Sequence, residues 1–330
     1  MSGPGHHLVA VAGSAGGVEA LKTFTSALPG DLPATVLVAL HLPATGRSHL
    51  AEILRRRCAL DVVPAQDGLE LVPGRLVVAH ADSHLLVADD RIALGRGARE
   101  NGNRPSHDAM LRAAALARGP RAVGVVLTGL LDDGAAGLRT VARYGGSCLV
   151  QDPDDAEFAP MPRAALAAVP DAVTADVPTL AKEVVRVVGE VPGAQPAVDD
   201  VQRRRDVAEL ASALGRRPLD DDGGPLGDPS PYACPDCHGV LNVVPDDAVV
   251  RFRCRTGHAW TGESLAAQHD VEVEAALWTA LRVLEERTEI SRRLAERARA
   301  GGRGWSDEHF RARADEAEHS ARLLRELLRR

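Results

Sequence analysis

Leu8-Val9-Ala10-Val11-Ala12-Gly13-Ser14-Ala15-Gly16-Gly17 is an apolar run that ends in a glycine-rich turn, and Val18–Leu28 follows it with helical spacing. A strand with no polar alternation has no solvent face. It predicts a strand buried on both sides, as in a parallel sheet covered by helices. The pattern recurs. Thr35–Leu40, Asp61–Ala65, Arg75–Ala79, Ala122–Leu127 and Ser147–Val150 read as strands. Ser48–Arg57, His107–Arg118, Ala135–Arg143 and Pro178–Val188 read as helices. Leu85–Ala88 and Ile92–Leu94 flank Asp89-Asp90 and predict a hairpin. The fold class is therefore α/β, doubly wound, with a mainly parallel sheet.

In such sheets the chemistry gathers beyond the carboxyl ends of the strands. Three polar groups of residues fall there: Gly13-Ser14-Ala15-Gly16-Gly17, His41-Leu42-Pro43 and Thr128-Gly129-Leu130-Leu131-Asp132-Asp133-Gly134. They offer a hydroxyl, an imidazole and a carboxylate. A base makes the hydroxyl nucleophilic, and the carboxylate fixes the tautomer of that base. The glycine turn has a second reading, as a phosphate cradle at a helix N-terminus. Spacing alone leaves the hydrolase and the nucleotide binder at even odds. His41 also reads as a satisfied strand-end histidine, and Asp132 and Asp133 as helix-capping residues.

The remainder of the chain is of a different kind. Asp199–Leu214 predicts one helix, and Gly215–Pro231 is rich in Pro, Gly and Asp, as in a flexible linker. Cys234, Cys237, Cys254 and His258 have the spacing C-x2-C-x16-C-x3-H. Two close pairs of sulfur and imidazole donors suit a closed tetrahedral zinc site of structural type. Residues 263–330 predict a helical hairpin broken at Gly301-Gly302-Arg303-Gly304, with Ser306 as the cap of its second helix. The expected division is thus 1–190 for the catalytic domain, 191–231 for a helix and flexible linker, 232–262 for the zinc module and 263–330 for the helical tail.

The formal net charge of −7 over 330 residues argues against a nucleic-acid surface. No stretch reaches the roughly 18 apolar residues of a membrane helix. The N-terminus has no signal-peptide pattern, so a cytoplasmic protein without membrane insertion is expected.

Residues 8–188 resemble the catalytic domain of CheB-type protein-glutamate methylesterases. The likeness rests on ordered segments: the Gly13–Gly17 turn, His41-Leu42-Pro43, Asp67-Gly68, Pro73-Gly74, Arg104-Pro105-Ser106-His107-Asp108, Thr128-Gly129 through Asp133–Gly137, and Met161-Pro162 with Ala165. The resemblance implies a Ser14, His41, Asp133 triad that hydrolyses glutamate methyl esters on a methyl-accepting chemotaxis receptor, with glutamine deamidation as a second reaction and no catalytic cofactor. It implies an oxyanion donor in the backbone N–H of Leu130. Arg104 and Ser106 are expected to border the substrate groove, with a helix N-terminus as an equal alternative reading of that segment. Two departures stand out: Ala15 where the family often has Thr, and Leu130-Leu131 where it commonly reads Met-Gly. The family's N-terminal receiver domain is expected to be absent. The tail is expected to recruit a protein or form a homodimer. Rival readings are a catalytically weak scaffold and a nucleotide-binding domain.

Overall fold

The computed structural model describes residues 5–41, 48–216, 227–246 and 248–329. Leu42-Pro43 and most of the expected linker lie outside these residues. By contacts the chain forms two compact units, Met1–Leu265 and Ala266–Arg330.

The first unit begins with β1 (His7–Gly13), α1 (Gly17–Ser26), β2 (Ala34–Leu40), α2 (Leu50–Arg55), β3 (Asp61–Pro64) and β4 (Arg75–Val78). A hairpin follows, β5 (His84–Ala88) with β6 (Arg91–Gly95), then α3 (His107–Arg118), β7 (Ala122–Val126), α4 (Ala135–Arg143) and β8 (Ser147–Gln151). The α5 helix (Pro160–Ala168), β9 (Val173–Ala175) and α6 (Val177–Val188) complete the α/β part. Seven strands pair in parallel in the order β3-β4-β2-β1-β7-β8-β9.

Both faces of this sheet are covered, which is why β1 is apolar from Leu8 onward and β2 from Val36 onward. Leu8, Ala10 and Ala12 pack with Met110 and Leu111 of α3, Leu138 of α4 and Met161 of α5. Val9 and Val11 point the other way, onto Leu21 and Phe24 of α1, Leu54 of α2 and Leu180 of α6. Successive side chains of a strand point to opposite faces, so one apolar run feeds two cores.

The chain divides elsewhere than its composition implies. The helix expected at 199–214, α7 (Asp200–Ala213), packs on the α/β part instead of standing off in a linker. Its last turn lies so close to β6 that a Cβ on Gly97 would stand 1.9 Å from the Ser212 carbonyl oxygen. The Cys/His segment folds as a four-stranded antiparallel ribbon, β10 (Asp228–Ala233), β11 (Val240–Val244), β12 (Arg251–Cys254) and β13 (Ala259–Thr261). Buried ion pairs tie ribbon, α7 and α3 together. Arg112 meets Glu100 at 3.0 Å and Glu209 at 2.9 Å, Arg251 meets Glu209 at 2.6 Å, and Arg253 meets Glu100 at 2.9 Å. Charges so deeply buried persist only when paired this fully. Ribbon and catalytic part therefore belong to one unit, because separating them would break these buried ion pairs.

The long helix α8 (Gly262–Ala300) and then α9 (Gly304–Leu327) follow. The break falls at the glycines, but α9 starts at Gly304, so Ser306 is inside the helix and does not cap it. In the second unit Ala295, Ala298, Ala314, Ala317 and Ala321 are buried. No described helix is long and apolar enough to cross a membrane.

Candidate active site

Strand register brings the first two site residues together. Gly13 pairs with Leu40 across β1 and β2, so Ser14 and His41 each sit one residue past the paired strand ends. The turn after Ser14 is tight: Gly17 N–H donates to Ser14 O at 2.8 Å, and Gly16 takes φ 72°. On the other side Ser14 N–H donates to Thr128 O at 3.0 Å, and the Thr128 hydroxyl donates to Ala15 O at 3.0 Å. Gly129 must be glycine here, because a Cβ would lie 2.9 Å from Ser14 Cβ and 2.7 Å from Met161 Sδ.

Ser14 Oγ is 3.1 Å from His41 Nδ1, and His41 Nε2 is 2.8 Å from Asp133 Oδ2. An ionised carboxylate only accepts, so the ring proton sits on Nε2 and Nδ1 is left as an acceptor facing the serine hydroxyl. Asp133 also accepts from Asn101 Nδ2 at 3.1 Å, Ser106 Oγ at 3.0 Å, and the backbone N–H groups of His107 at 2.8 Å and Asp108 at 3.2 Å. Burial alone would raise its pKa. The His41 hydrogen bond and the nearby imidazoles of His107 and His41, with the His107 backbone N–H, outweigh burial and hold the carboxyl far below its ordinary range.

Asp108 lies beside it, accepting from Gly134 N–H at 2.9 Å and Gly137 N–H at 2.7 Å. Burial and then the Asp133 charge push its pKa well up. His107 is wholly buried, and its ring stacks on that of His41. Burial, then the charge on His41, lower its pKa to about 3, which keeps it neutral.

The other expected residues are placed as follows. Leu130 is half exposed, and Leu131 beside it takes φ 58°. Among the described residues, the N–H groups of Ala15, Gly16 and Leu130 have no acceptor, while Gly129 N–H is spent on Phe158 O. Ser106 does not border a groove. It is fully buried, accepts from Ala109 N–H as the cap of α3, and supports Asp133. Arg104 pairs with Asp82 at 2.6 Å and donates to Gly97 O at 2.7 Å, so its fork is taken up by the protein itself. Asp132 does not reach His41 but accepts from Thr261 and Ser264.

Sequence reasoning gave no role to Asn101, His107, Asp108 or Gln151, whose side-chain oxygen accepts from Thr128 N–H at 2.8 Å. His107 and Asp108 follow Ser106 directly in the chain. Asn101 had only its turn-like Asn-Gly step as a signal.

Cys234, Cys237, Cys254 and His258 form a separate group, with every ligand atom within 4.8 Å of the others. Cys237 Sγ and Cys254 Sγ are 3.7 Å apart, and Cys254 Sγ is 3.5 Å from His258 Nδ1. The cysteines sit on two turns, one with His238 at φ 59° and one with Gly257 at φ 108°.

Known proteins resemble this chain over its α/β part. The chain is 41% identical over 161 residues to protein-glutamate methylesterase/protein-glutamine glutaminase 5 of Myxococcus xanthus, covering 48% of this chain and 46% of that protein. It is 37% identical over 192 residues to number 4 of Anaeromyxobacter dehalogenans, covering 56% and 53%. The chain thus spans about half the length of the curated relatives it matches. The crystal structure of the Thermotoga maritima CheB methylesterase catalytic domain superposes with a TM-score of 0.53 at 26% identity, over 55% of this chain and 98% of that one. The CheB methylesterase family profile matches residues 9–184, more than half of the chain and the whole span that carries Ser14, His41 and Asp133, and the chain belongs to that family.

Proposed function

We propose that this protein hydrolyses glutamate methyl esters on a partner protein, with Ser14 as nucleophile, and that glutamine side chains are deamidated by the same route. The relatives named protein-glutamate methylesterase/protein-glutamine glutaminase motivate the substrate class. The observation that carries the reading is the chain of contacts Ser14 Oγ to His41 Nδ1 to Asp133. His41 takes the Ser14 proton as Oγ attacks the ester carbonyl. Backbone N–H groups, that of Leu130 among them, hold the oxyanion. The tetrahedral intermediate collapses, the proton on Nδ1 passes to methoxide, and methanol leaves. Water, deprotonated by the same nitrogen, then releases the glutamate. Asp133 keeps Nε2 protonated and balances the imidazolium. By the same reading the methylated partner is a chemotaxis receptor and the protein is cytoplasmic.

The nucleotide-binding alternative is disfavoured by Glu157, whose carboxylate oxygen stands 2.7 Å from where a Cβ on Gly16 would be. A phosphate at the start of α1 would meet that acid. The test is methanol release from a methylated receptor together with fluorophosphonate labelling. Wild-type protein should do both and Ser14→Ala neither. Absence of labelling in the wild type would reject the serine-hydrolase reading.

The second part of the proposal is a structural zinc held by Cys234, Cys237, Cys254 and His258. With Zn–S near 2.3 Å, tetrahedral ligands stand about 3.8 Å apart, close to the sulfur spacing here. The Thr256 hydroxyl lies 3.0 Å from Cys254 Sγ and 3.3 Å from Cys237 Sγ, within reach to support thiolates. The tail, with Trp278, Ile290 and Leu294 exposed on α8, is read as a surface for a protein partner or a second copy.

A further inference from the structure

The C-terminal ribbon reaches the triad carboxylate. Its last strand ends at Thr261, whose backbone N–H donates to Asn101 Oδ1 at 2.8 Å. Asn101 Nδ2 in turn donates to Asp133 Oδ1 and to Asp108 Oδ2, both at 3.1 Å. The Thr261 hydroxyl donates to Asp132 Oδ1 at 2.7 Å, and Ser264 Oγ donates to the same oxygen at 2.6 Å. Thr261 Oγ1 also accepts from Ser264 N–H at 3.2 Å, so the residue that ends β13 caps α8 as well. All of these side chains are buried.

The backbone enforces the arrangement. Asn101 takes φ 52°, a left-handed conformation in which Asn is tolerated, and its N–H donates to Ala259 O at 2.8 Å. Asn101 is thereby held on two sides by β13 while its amide faces the triad. Asp132 and Asp133 are adjacent in the chain, so anchoring the first restrains the second. Asp132 itself sits at the N-terminus of α8, where the helix dipole favours a carboxylate. Its burial pushes its pKa up, and the two hydroxyls oppose that rise.

We propose that the end of the C-terminal ribbon is a positioning brace for the triad: Thr261 and Ser264, acting through Asn101 and Asp132, fix the carboxylate of Asp133 on the ring of His41. This rests on the serine-hydrolase reading and adds to it. The ribbon is then a working part of the hydrolase, and Asn101, Thr261 and Ser264 are positioning residues. A brace alters how fast Ser14 reacts. A contact that merely holds the ribbon in place alters how much of the protein is folded.

The test uses the full chain and a fluorophosphonate probe, with saturation kinetics resolved into kinact and KI and the final labelled fraction measured. The variants are Asn101→Gly, which tolerates positive φ, the double change Thr261→Val with Ser264→Ala, and Thr261→Ser. Displacing a reacting group by about 1 Å costs on the order of 10²-fold. Asn101→Gly and the double variant should therefore lose at least about tenfold in kinact, with KI within about twofold and complete final labelling. Thr261→Ser, which keeps the hydroxyl, should stay within about twofold of wild type. Wild-type kinact in either of the first two variants, or a loss confined to the labelled fraction, overturns the brace while leaving the hydrolase reading intact. If one of them does not fold, the other carries the same test. No labelling of wild-type Ser14 overturns the hydrolase reading and the brace with it.

Discussion

The imidazole of His107 lies flat on that of His41, with ring centroids 3.9 Å apart and planes within 9° of parallel. His107 N–H donates to Asp133 Oδ2, so backbone and ring of one residue fix two members of the triad. The arrangement needs a neutral His107, since a second cation against His41 would oppose the imidazolium formed in catalysis.

That neutrality makes the fold sensitive to acid. The folded protein keeps His107 unprotonated down to about pH 3, while the unfolded chain binds a proton at the ordinary 6.5. Stability intact above pH 6.5 is therefore lost as pH falls toward 3, by about 1.4 kcal/mol per pH unit once well below 6.5. Buried His84 is lowered by its own burial and acts in the same direction. The raised carboxyl of Asp108 acts the other way over the same window, so the loss is read from urea unfolding at pH 7 and pH 5 as the difference from a variant without the imidazole. His107→Phe should reduce it by about the share of one histidine. An unchanged pH dependence in that variant would show that His107 is not the group concerned.

Asp133 and Asp132 are chain neighbours with different partners. Asp133→Asn presents an amide to His41 Nε2 and favours the wrong tautomer, so kcat should fall on the order of 10⁴-fold. Asp132→Asn keeps an acceptor for Thr261 and Ser264 and should cost no more than about tenfold. The reverse ranking in methanol-release kinetics would displace Asp133 from the triad.

Leu131 pays for its left-handed backbone at φ 58°. A non-glycine residue there costs roughly 1–2 kcal/mol, part of which glycine returns as chain entropy. Leu131→Gly should raise stability by up to about 1 kcal/mol, read as a small increase in Tm. A lower Tm would mean that contacts of the Leu131 side chain outweigh the strain.

Arg253 is nearly inaccessible and joins β12 to Glu100, Ser212 Oγ and Gly257 O. Arg253→Ala removes a buried cation from beside Glu100 and Glu209, breaks that buried pairing and should cost about 3–5 kcal/mol. Urea unfolding followed by circular dichroism should keep a single transition with a lower midpoint. A separate early transition for the ribbon would mean that it is not part of the same cooperative unit.

Protein purified without added metal should contain one zinc per chain by elemental analysis. Cys254→Ser should lose it, and chelator treatment of the wild type should lower Tm. Full zinc content in Cys254→Ser would remove that residue from the ligand set.

The sequence by itself determined the α/β sheet, the strand-end positions of Ser14, His41 and Asp133, and the donor pattern of the Cys/His segment. Each is a local signal: an unbroken apolar strand, a polar residue just after it, or ligands a few positions apart. Three things were settled only by tertiary structure. For Ser106 the choice between a groove residue and a helix N-terminus fell to the latter, because its hydroxyl caps α3 and turns inward to Asp133, a contact between distant residues that no local spacing encodes. Residues 191–262 read as a linker and a separate module because Glu209 and Arg253 look like surface charges until Arg112 and Glu100 are brought to them. The path from Thr261 to Asp133 was invisible because its members, Asn101, Asp132 and Ser264, lie far apart along the chain and become a network only when β13 folds back against the start of α4. Hydrogen bonds between distant residues carry no periodicity, so only the folded chain can display them.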